Sequence, residues 1–124
     1  MILLLDTHAL IWALEASPRL SSTARDAIED TSNTVLASVV SAWEIAIKRA
    51  LGQLATPDDL EGTLVAAGFS KRLVTFADVR RLETLPAHHR DPFDRMLIAQ
   101  AIEEGASLVS VDPKVARYPV HVLW

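Results

Sequence analysis

Short apolar runs alternate with longer stretches of helical periodicity along almost the whole chain. Five runs have the length of β-strands: residues 2–5, 34–37, 72–76, 107–111 and 119–124. Because strands that alternate with helices pair mostly in parallel, we expect an α/β fold with a mostly parallel central sheet of about five strands, flanked by helices on both faces. In such a sheet, ligands bind outside the carboxyl ends of the strands.

Capping residues and helix breakers separate these runs. Serine, threonine or aspartate precedes most of the helical stretches, and glycine or proline follows several of them. The helices predicted in this way cover residues 7–16, 22–30, 39–51, a stretch that begins at Thr56 and Pro57, 77–85 and 92–104.

The composition bounds what this fold can be. A length of 124 residues with 50% hydrophobic content predicts a single domain over residues 1–124. The lack of cysteine excludes disulfides and thiolate metal sites, and it suits a reducing compartment. No apolar run reaches the roughly 18 residues that span a bilayer, so we expect a cytoplasmic protein without a membrane segment.

The charge pattern limits how the chain could bind nucleic acid. A net charge of −4 argues against a wide, nonspecific nucleic-acid surface. A local basic strip remains open, although scattered cations more often form solvated faces. Its candidate members are Lys48, Arg49, Lys71, Arg72, Arg80, Arg81, His88, His89, Arg90 and Arg95.

Two aspartates directly follow predicted strands. Asp6 comes after the run at 2–5, and Asp112 comes after the run at 107–111. If these strands are parallel neighbours, both carboxylates emerge at the same edge of the sheet. Each aspartate taken alone is equally explained as the cap of the element that follows it.

A third acid, Glu44, lies in the helix predicted at 39–51. It falls at the rim of an apolar stripe and is aimed near the sheet edge, although a surface salt bridge to Lys48 is the simpler explanation of Glu44 alone. Ile45 falls off the stripe. It is equally explained as a contact with a second copy or another partner and as a harmless exposed residue. The stripe consists of Val39, Val40, Trp43, Ala46, Ile47, Ala50 and Leu51.

The fourth acid, Asp94, falls inside the apolar arc of the helix predicted at 92–104. Its side chain should therefore point inward, and because a buried unpaired carboxylate is costly, we expect a cation beside it. Asp91, which precedes Pro92, is better explained as the cap of this helix. The arc consists of Phe93, Leu97, Ile98, Ala101 and Ile102.

Three or four carboxylates at one place raise each other's pKa and are not stable as anions unaided. A hard divalent cation removes this repulsion, and oxygen-only ligands suit Mg²⁺ or Mn²⁺. Such a site can hydrolyse the phosphodiester bonds of nucleic acid, because the metal activates water and stabilises the charge of the phosphate.

Four stretches resemble the PIN-domain ribonucleases, and specifically the VapC toxins of toxin-antitoxin pairs. They are LLLDTHALIW, SVVSAWEIAIK, HRDPFDRMLIAQA and LVSVDPKVARYPV. The resemblance implies a PIN-like three-layer sandwich with a metal site of Asp6, Glu44, Asp94 and Asp112, Mg²⁺ or Mn²⁺ as the cofactor, and RNA as the substrate. It also implies a homodimer and an antitoxin whose C-terminal tail lies across the site.

Three further residues are candidates for support of this site. Thr7 has a hydroxyl that could hold a metal-bound water or a phosphate, and Asp91 resembles a frequent companion of Asp94. Ser110 stands where the family often has threonine, and it keeps the hydroxyl.

The histidines and tryptophans are not predicted to bind the metal. His8 is expected to be structural rather than catalytic. The adjacent pair His88 and His89 is expected to make surface or phosphate contacts, because the family chemistry does not need it. The three tryptophans are expected in the core or at an interface, unless one of them stacks on an RNA base; they are Trp12, Trp43 and Trp124.

Two other protein classes fit the sequence less well than a nuclease. A phosphoryl-accepting receiver domain would need a doublet of acids after the first strand, where Asp6 stands between Leu5 and Thr7. A haloacid-type phosphatase would need a second acid at the position of His8. A PIN-like module that binds RNA or protein without cutting remains the alternative, although it has no need of so costly an acidic cluster.

Overall fold

The computed structural model describes residues 1–56 and 58–124 and confirms the α/β fold. Five strands form one all-parallel sheet in the order β3-β2-β1-β4-β5. The strands are β1 Ile2–Leu5, β2 Thr34–Ser38, β3 Ser70–Arg72, β4 Ser107–Val109 and β5 Val122–Leu123. The α-helices of the described residues are α1 Thr7–Leu14, α2 Ser22–Glu29, α3 Val39–Ala50, α4 Leu60–Ala66, α5 Phe76–Thr84 and α6 Pro92–Glu104.

The leucines of β1 show why this strand lies at the centre. Leu3 and Leu5 belong to the core on one face of the sheet, which also contains residues of α1, α2 and α4, whereas Leu4 belongs to the core on the other face with residues of α6. All three side chains are fully buried, as expected for a parallel strand covered by helices on both sides. The molecule is therefore a three-layer sandwich.

Most predicted helix starts are confirmed by side-chain caps. Ser21 accepts a hydrogen bond from the Ala24 amide at the start of α2, and Ser38 accepts one from the Val40 amide at the start of α3. Gly105 ends α6 in the left-handed conformation, with φ of 63°. No helix among residues 1–56 and 58–124 is long and apolar enough to cross a bilayer.

Several predicted element boundaries are wrong. The strand predicted at 107–111 ends at Val109, and the one predicted at 119–124 covers only Val122–Leu123. The strand predicted at 72–76 is instead Ser70–Arg72, and Thr75 starts α5 with a reciprocal capping box to Asp78. Helix α4 begins at Leu60 with Asp59 as its cap, three residues after the predicted proline position. Pro57 itself lies outside the described residues. At α5 the capping box decided the boundary over the apolar pattern, and at α4 the side chain of Asp59, which accepts from the Gly62 amide, provides the cap.

The predicted buried stripe of α3 is also wrong. Trp43 is 62% exposed and Leu51 is 65% exposed, whereas Ile45, predicted to lie off the stripe, is 1% exposed. The helix packs with the face that carries Val40 and Glu44 against the rest of the domain. Both faces of α3 contain apolar residues. Helical periodicity predicted burial of the more apolar face, but the helix packs with the other face against the domain.

Candidate metal centre

The carboxyl ends of β1 and β4 bring the two strand-following aspartates to one edge of the sheet. Leu5 pairs with Val109 in the parallel register, and the amide of Asp6 donates to the Val109 carbonyl at 3.1 Å. Asp112 therefore leaves β4 on the same side as Asp6 leaves β1. Their proximity is reflected in the pKa of Asp6, which the charge of Asp112 helps to raise.

Asp6 combines a capping role with a place in the acidic edge. Its Oδ1 accepts a hydrogen bond from the Ala9 amide at 2.8 Å, so it caps α1. The side chain is buried, and burial raises its pKa despite the opposing hydrogen bonds from the Ser110 hydroxyl and the Ala9 amide. Ser110, one of the candidates for support, is buried beside Asp6 and also accepts from the Asp112 amide.

Asp94 and Asp112 meet around one histidine. Nε2 of His89 lies 2.8 Å from Oδ2 of Asp112 and 3.2 Å from Oδ2 of Asp94. Burial acts to raise the pKa of Asp112, but the hydrogen bonds from the Lys114 amide and from His89 outweigh it and hold that pKa below its ordinary value. Two carboxylates that are 18 residues apart in the chain thus lie against one imidazole nitrogen, which hydrogen-bonds to Asp112 and is in charge contact with Asp94.

Asp94 points inward as predicted, and it is the most perturbed acid of the cluster. Burial, as the largest cause, and the charges of Asp91, Asp6 and Glu44 together raise its pKa from 3.8 to about 7, while His89 opposes this rise. Without a cation, burial and the negative charges of the neighbouring acids therefore disfavour the ionised form of this carboxyl. The electrostatics show that the four predicted acids act on one another at this edge.

Glu44 belongs to the same edge but is held by its own partners. Its Oε1 accepts from the Thr7 hydroxyl at 2.7 Å, and its Oε2 pairs with Lys48 Nζ at 2.8 Å. Glu44 is only 6% exposed, so the predicted pair with Lys48 exists but does not lie on the open surface. Thr7 also lies 3.1 Å from the Ser41 hydroxyl oxygen, which ties α1 to α3 beneath the site.

The structure bears out the capping role of Asp91. Its Oδ1 accepts from the amides of Phe93 at 2.8 Å and Asp94 at 3.2 Å, with Pro92 at the first helical position. Its charge still acts on Asp94. Asp91 therefore positions the start of α6, and with it the carboxylate of Asp94.

Two of the cations that could have contributed to a basic strip are held by other groups of the protein. Arg72 is paired with Asp78 and Glu104, and Arg95 donates to the carbonyls of Pro86 and His89. These guanidinium groups hold loops and helices together rather than forming a surface. Arg72 and Arg95 are therefore not available to a basic strip.

The prediction of a surface role is wrong for His89. The side chain is 8% exposed and sits between Asp94 and Asp112. The sequence carried one usable signal, because Asp94 was expected to face a partner and His89 stands just before the cap of the same helix. Its second contact, to Asp112, joins residues 23 positions apart and has no local signature.

Aromatic residues confirm part of the prediction. His8 is exposed and stacks on Trp12 at 5.6 Å between ring centroids, which suits the structural role predicted for it. Trp12 and Trp124 pack against the core, at 5.8 Å from each other. Trp43 instead remains exposed and contacts Phe93 edge to face at 5.0 Å.

The donors at this edge fit a divalent cation. Carboxylate oxygens are the ligands that Mg²⁺ and Mn²⁺ prefer, and a cation would offset the burial and the mutual repulsion that together raise the pKa of Asp94 to about 7. The carboxylates of Asp94 and Asp112 and the His89 nitrogen also have ligand atoms within 4.8 Å of one another. Fold and site together define a parallel α/β domain with an acidic centre at the carboxyl edge of its sheet.

The family model described as the PIN domain matches residues 3–120. This chain therefore belongs to the PIN-domain family, whose members are generally nucleases. No curated protein sequence matches the chain.

Two solved structures have the same fold over nearly their whole length. One is the structure of VapBC2 from Rickettsia felis bound to a DNA fragment from their promoter, with a TM-score of 0.70, 16% identity, and coverage of 98% of this chain and 97% of that one. The other is FitAcB from Neisseria gonorrhoeae, with a TM-score of 0.67, 15% identity, and coverage of 98% and 96%. At these identities the similarity shows the shared fold.

Proposed function

We propose that this protein is a Mg²⁺-dependent endoribonuclease, with Mn²⁺ as an alternative metal, that acts as the toxin of a toxin-antitoxin pair. The observation that carries the proposal is the crowding of carboxylates at the carboxyl edge of the sheet, where the pKa of Asp94 rises to about 7. A protein that only bound RNA would gain nothing from this unfavourable arrangement. The membership in a family of nucleases and the fold shared with VapBC2 support the same function.

The residues assigned to the metal are Asp6, Glu44, Asp94 and Asp112. When bound, the divalent cation supplies an activated water and stabilises charge on the scissile phosphate. Asp6 and Asp112 come from neighbouring strands, which gives them rigid backbone positions. Glu44, whose oxygens are occupied by Thr7 and Lys48, is suited to hold a water molecule in place or to bind through one of its remaining lone pairs.

Phosphate recognition needs cations beside the acids. The Lys48 ammonium is 39% exposed and lies close enough to Asp91 and Asp94 for their charges, after the hydrogen bond to Glu44, to raise its pKa. Arg90 and Lys114 are exposed next to Asp91 and Asp112 in the chain. Arg90 and Lys114 are the side chains that we assign to the RNA backbone, because they are exposed and stand close to Asp91 and Asp112 in the chain, whereas Lys48 is already paired with Glu44.

The proposed partners are a second copy of the chain and an antitoxin. The exposed stripe of α3, which contains Val39, Trp43, Ile47 and Leu51, is continuous enough to be an interaction surface. We expect Trp43→Asp to lower the mass of the protein measured by light scattering if the stripe joins two copies. An unchanged dimer mass would place the second copy elsewhere and leave this stripe to the antitoxin.

The function is tested by incubation of purified, partner-free protein with total RNA in Mg²⁺ or Mn²⁺, beside an EDTA control. Discrete cuts that need metal and disappear in Asp6→Asn are the expected result. Asp30→Asn is the matched control, because Asp30 lies near the N-terminus at the opposite edge of the sheet. A folded protein that cuts no RNA with either metal would favour the binding module without cleavage activity.

A further inference from the structure

We propose that His89 is a positioning residue of the metal centre that holds Asp94 and Asp112 through its Nε2–H and does not itself bind the metal. This inference rests on the proposed function only for the identity of the ion. The spacing of the ligand atoms alone would allow the opposite assignment, a nitrogen ligand beside two carboxylates. The hydrogen bonds of the ring decide between the two.

The decisive contact is made by the other ring nitrogen. The backbone N–H of Asp91 donates to Nδ1 of His89 at 3.1 Å. A ring nitrogen that accepts a hydrogen bond carries no proton, so in a neutral imidazole the proton must be on Nε2. The alternative tautomer would place two N–H groups against each other. The Asp91 amide therefore fixes Nε2 as a donor, and a protonated nitrogen has no lone pair for a metal.

The position of His89 is fixed from several sides. Its backbone N–H donates to the Tyr118 hydroxyl at 2.8 Å, and the same hydroxyl donates to the Pro86 carbonyl at 2.8 Å. Arg95 donates to the carbonyl of His89 at 3.4 Å. With the side chain 8% exposed, the imidazole has little freedom to turn its Nε2 away from the carboxylates. The loop before α6 is thus a rigid support for one donor.

The position of Nε2 has a clear consequence for the acids. Its N–H hydrogen-bonds to Oδ2 of Asp112 at 2.8 Å, and Nε2 lies 3.2 Å from Oδ2 of Asp94. It orients both carboxylates and reduces their repulsion, while their remaining lone pairs stay free for a cation. Groups that orient the ligands of a metal in this way are commonly worth about 10–100-fold in metal affinity.

The first test reads the tautomer directly. In the full-length protein with ¹⁵N-labelled histidine, long-range ¹H–¹⁵N correlation spectra should show the Nε2–H tautomer for His89, both metal-free and saturated with Mg²⁺. The signals are assigned by their loss in His89→Gln. With Mn²⁺ in place of Mg²⁺, pulsed electron paramagnetic resonance should show no directly coordinated ¹⁴N. An Nδ1–H tautomer, or a ¹⁴N ligand that disappears in His89→Gln, would overturn the proposal.

A pair of variants tests the positioning itself. The amide nitrogen of Gln can take the place of Nε2, whereas that of Asn reaches only to the place of Nδ1. We expect His89→Gln to keep the Mg²⁺ and Mn²⁺ affinity within about threefold and His89→Asn to lose about 10–100-fold, with far-ultraviolet circular dichroism unchanged. Wild-type affinity in both variants would overturn the positioning role. A wild-type protein that binds neither metal would instead refute the proposed function, and the metal-free tautomer would still decide the orientation of His89.

Discussion

Asp78 and Asp94 are both inward-facing aspartates near helix starts, and their surroundings are opposite. Asp78 is fully buried and receives two hydrogen bonds from Arg72, at 2.9 and 2.7 Å. Burial acts to raise its pKa, but Arg72 and the Thr75 amide outweigh it and hold that pKa below the ordinary value. Asp94 has other carboxylates and one histidine around it, and its pKa rises to about 7.

The comparison separates a carboxylate whose charge is compensated within the fold from one that we propose to bind a metal. The Arg72 and Asp78 pair also involves Gln100, which donates to Asp78 and binds the Ser38 hydroxyl at 2.5 Å. This network is satisfied by the protein alone, as buried charges usually are. The acidic edge is not, and a buried acid whose neighbours oppose its ionisation is typical of a functional site.

The largest expected effect comes from removal of the partner of Asp78. Arg72→Met should lower the free energy of unfolding by about 3–5 kcal/mol, because it leaves a fully buried carboxylate uncompensated. Urea unfolding at neutral pH measures this loss. Arg81→Met, which breaks the more exposed pair with Glu103, is the control and should cost less than about 1 kcal/mol. Equal losses in both variants would remove the distinction between the two kinds of pair.

At the other carboxylate, Asp94→Asn should reduce RNA cleavage by more than about 100-fold, since loss of a metal-binding oxygen should exceed the loss of an orienting group. In EDTA at pH 7.5, the same variant should have a higher free energy of unfolding than the wild type. The gain should be about 2 kcal/mol after allowance for partial exposure, because the amide removes both the cost of burying a charge and the repulsion from the other acids. Full activity would exclude Asp94 from the site, and a less stable variant would show that its charge is already compensated.

The pH dependence of stability should have opposite signs at the two aspartates. The pKa of Asp78 is lowered, so its contribution is present above the unfolded value of 3.8 and is lost as the pH falls through the folded value. The pKa of Asp94 is raised to about 7, so its ionisation costs nothing below 3.8 and lowers the stability of metal-free protein progressively up to about pH 7. Unfolding of the wild type and Asp94→Asn from pH 4 to 8 measures the second effect, and a pH-independent difference between them would contradict it.

The smallest effect is expected at the rim of the acidic edge. Lys48→Ala should change cleavage only a few fold, because Glu44 keeps its hydrogen bond from Thr7 and the ammonium is partly exposed. Arg49→Ala, one residue further along α3, is the matched control for the loss of a positive charge. A collapse of activity in Lys48→Ala alone would show that this lysine itself binds the phosphate or holds Glu44 in place.

Much of the fold was predictable because its signals are local. Each of these signals involves residues only a few positions apart in the chain. They are the fully buried leucines of β1, the serine cap of α3, and the proline and glycine that bound α6. The approach of Asp6 to Asp112 also followed from the pattern, since parallel neighbouring strands must end at the same edge. The inward direction of Asp94 followed from helical periodicity.

The buried face of α3 could not be predicted from the same periodicity. The residues Trp43 and Leu51 are more apolar than Glu44, and yet Glu44 is buried and they are exposed. Glu44 gains a hydrogen bond from Thr7 and a charged partner in Lys48, which compensate for its burial. No pattern along the helix contains the Thr7 contact.

The sequence by itself determined the order of strands and helices, the edge at which the acids emerge and the capping of their elements, because these depend on residues close together in the chain. Only the tertiary structure decided that His89 would lie between Asp94 and Asp112, and that Arg72 would satisfy one aspartate while another stays crowded. The physical reason is that the electrostatic free energy of a carboxylate depends on the charges and donors within a few ångströms of it. The chain brings most of those groups together only when it folds.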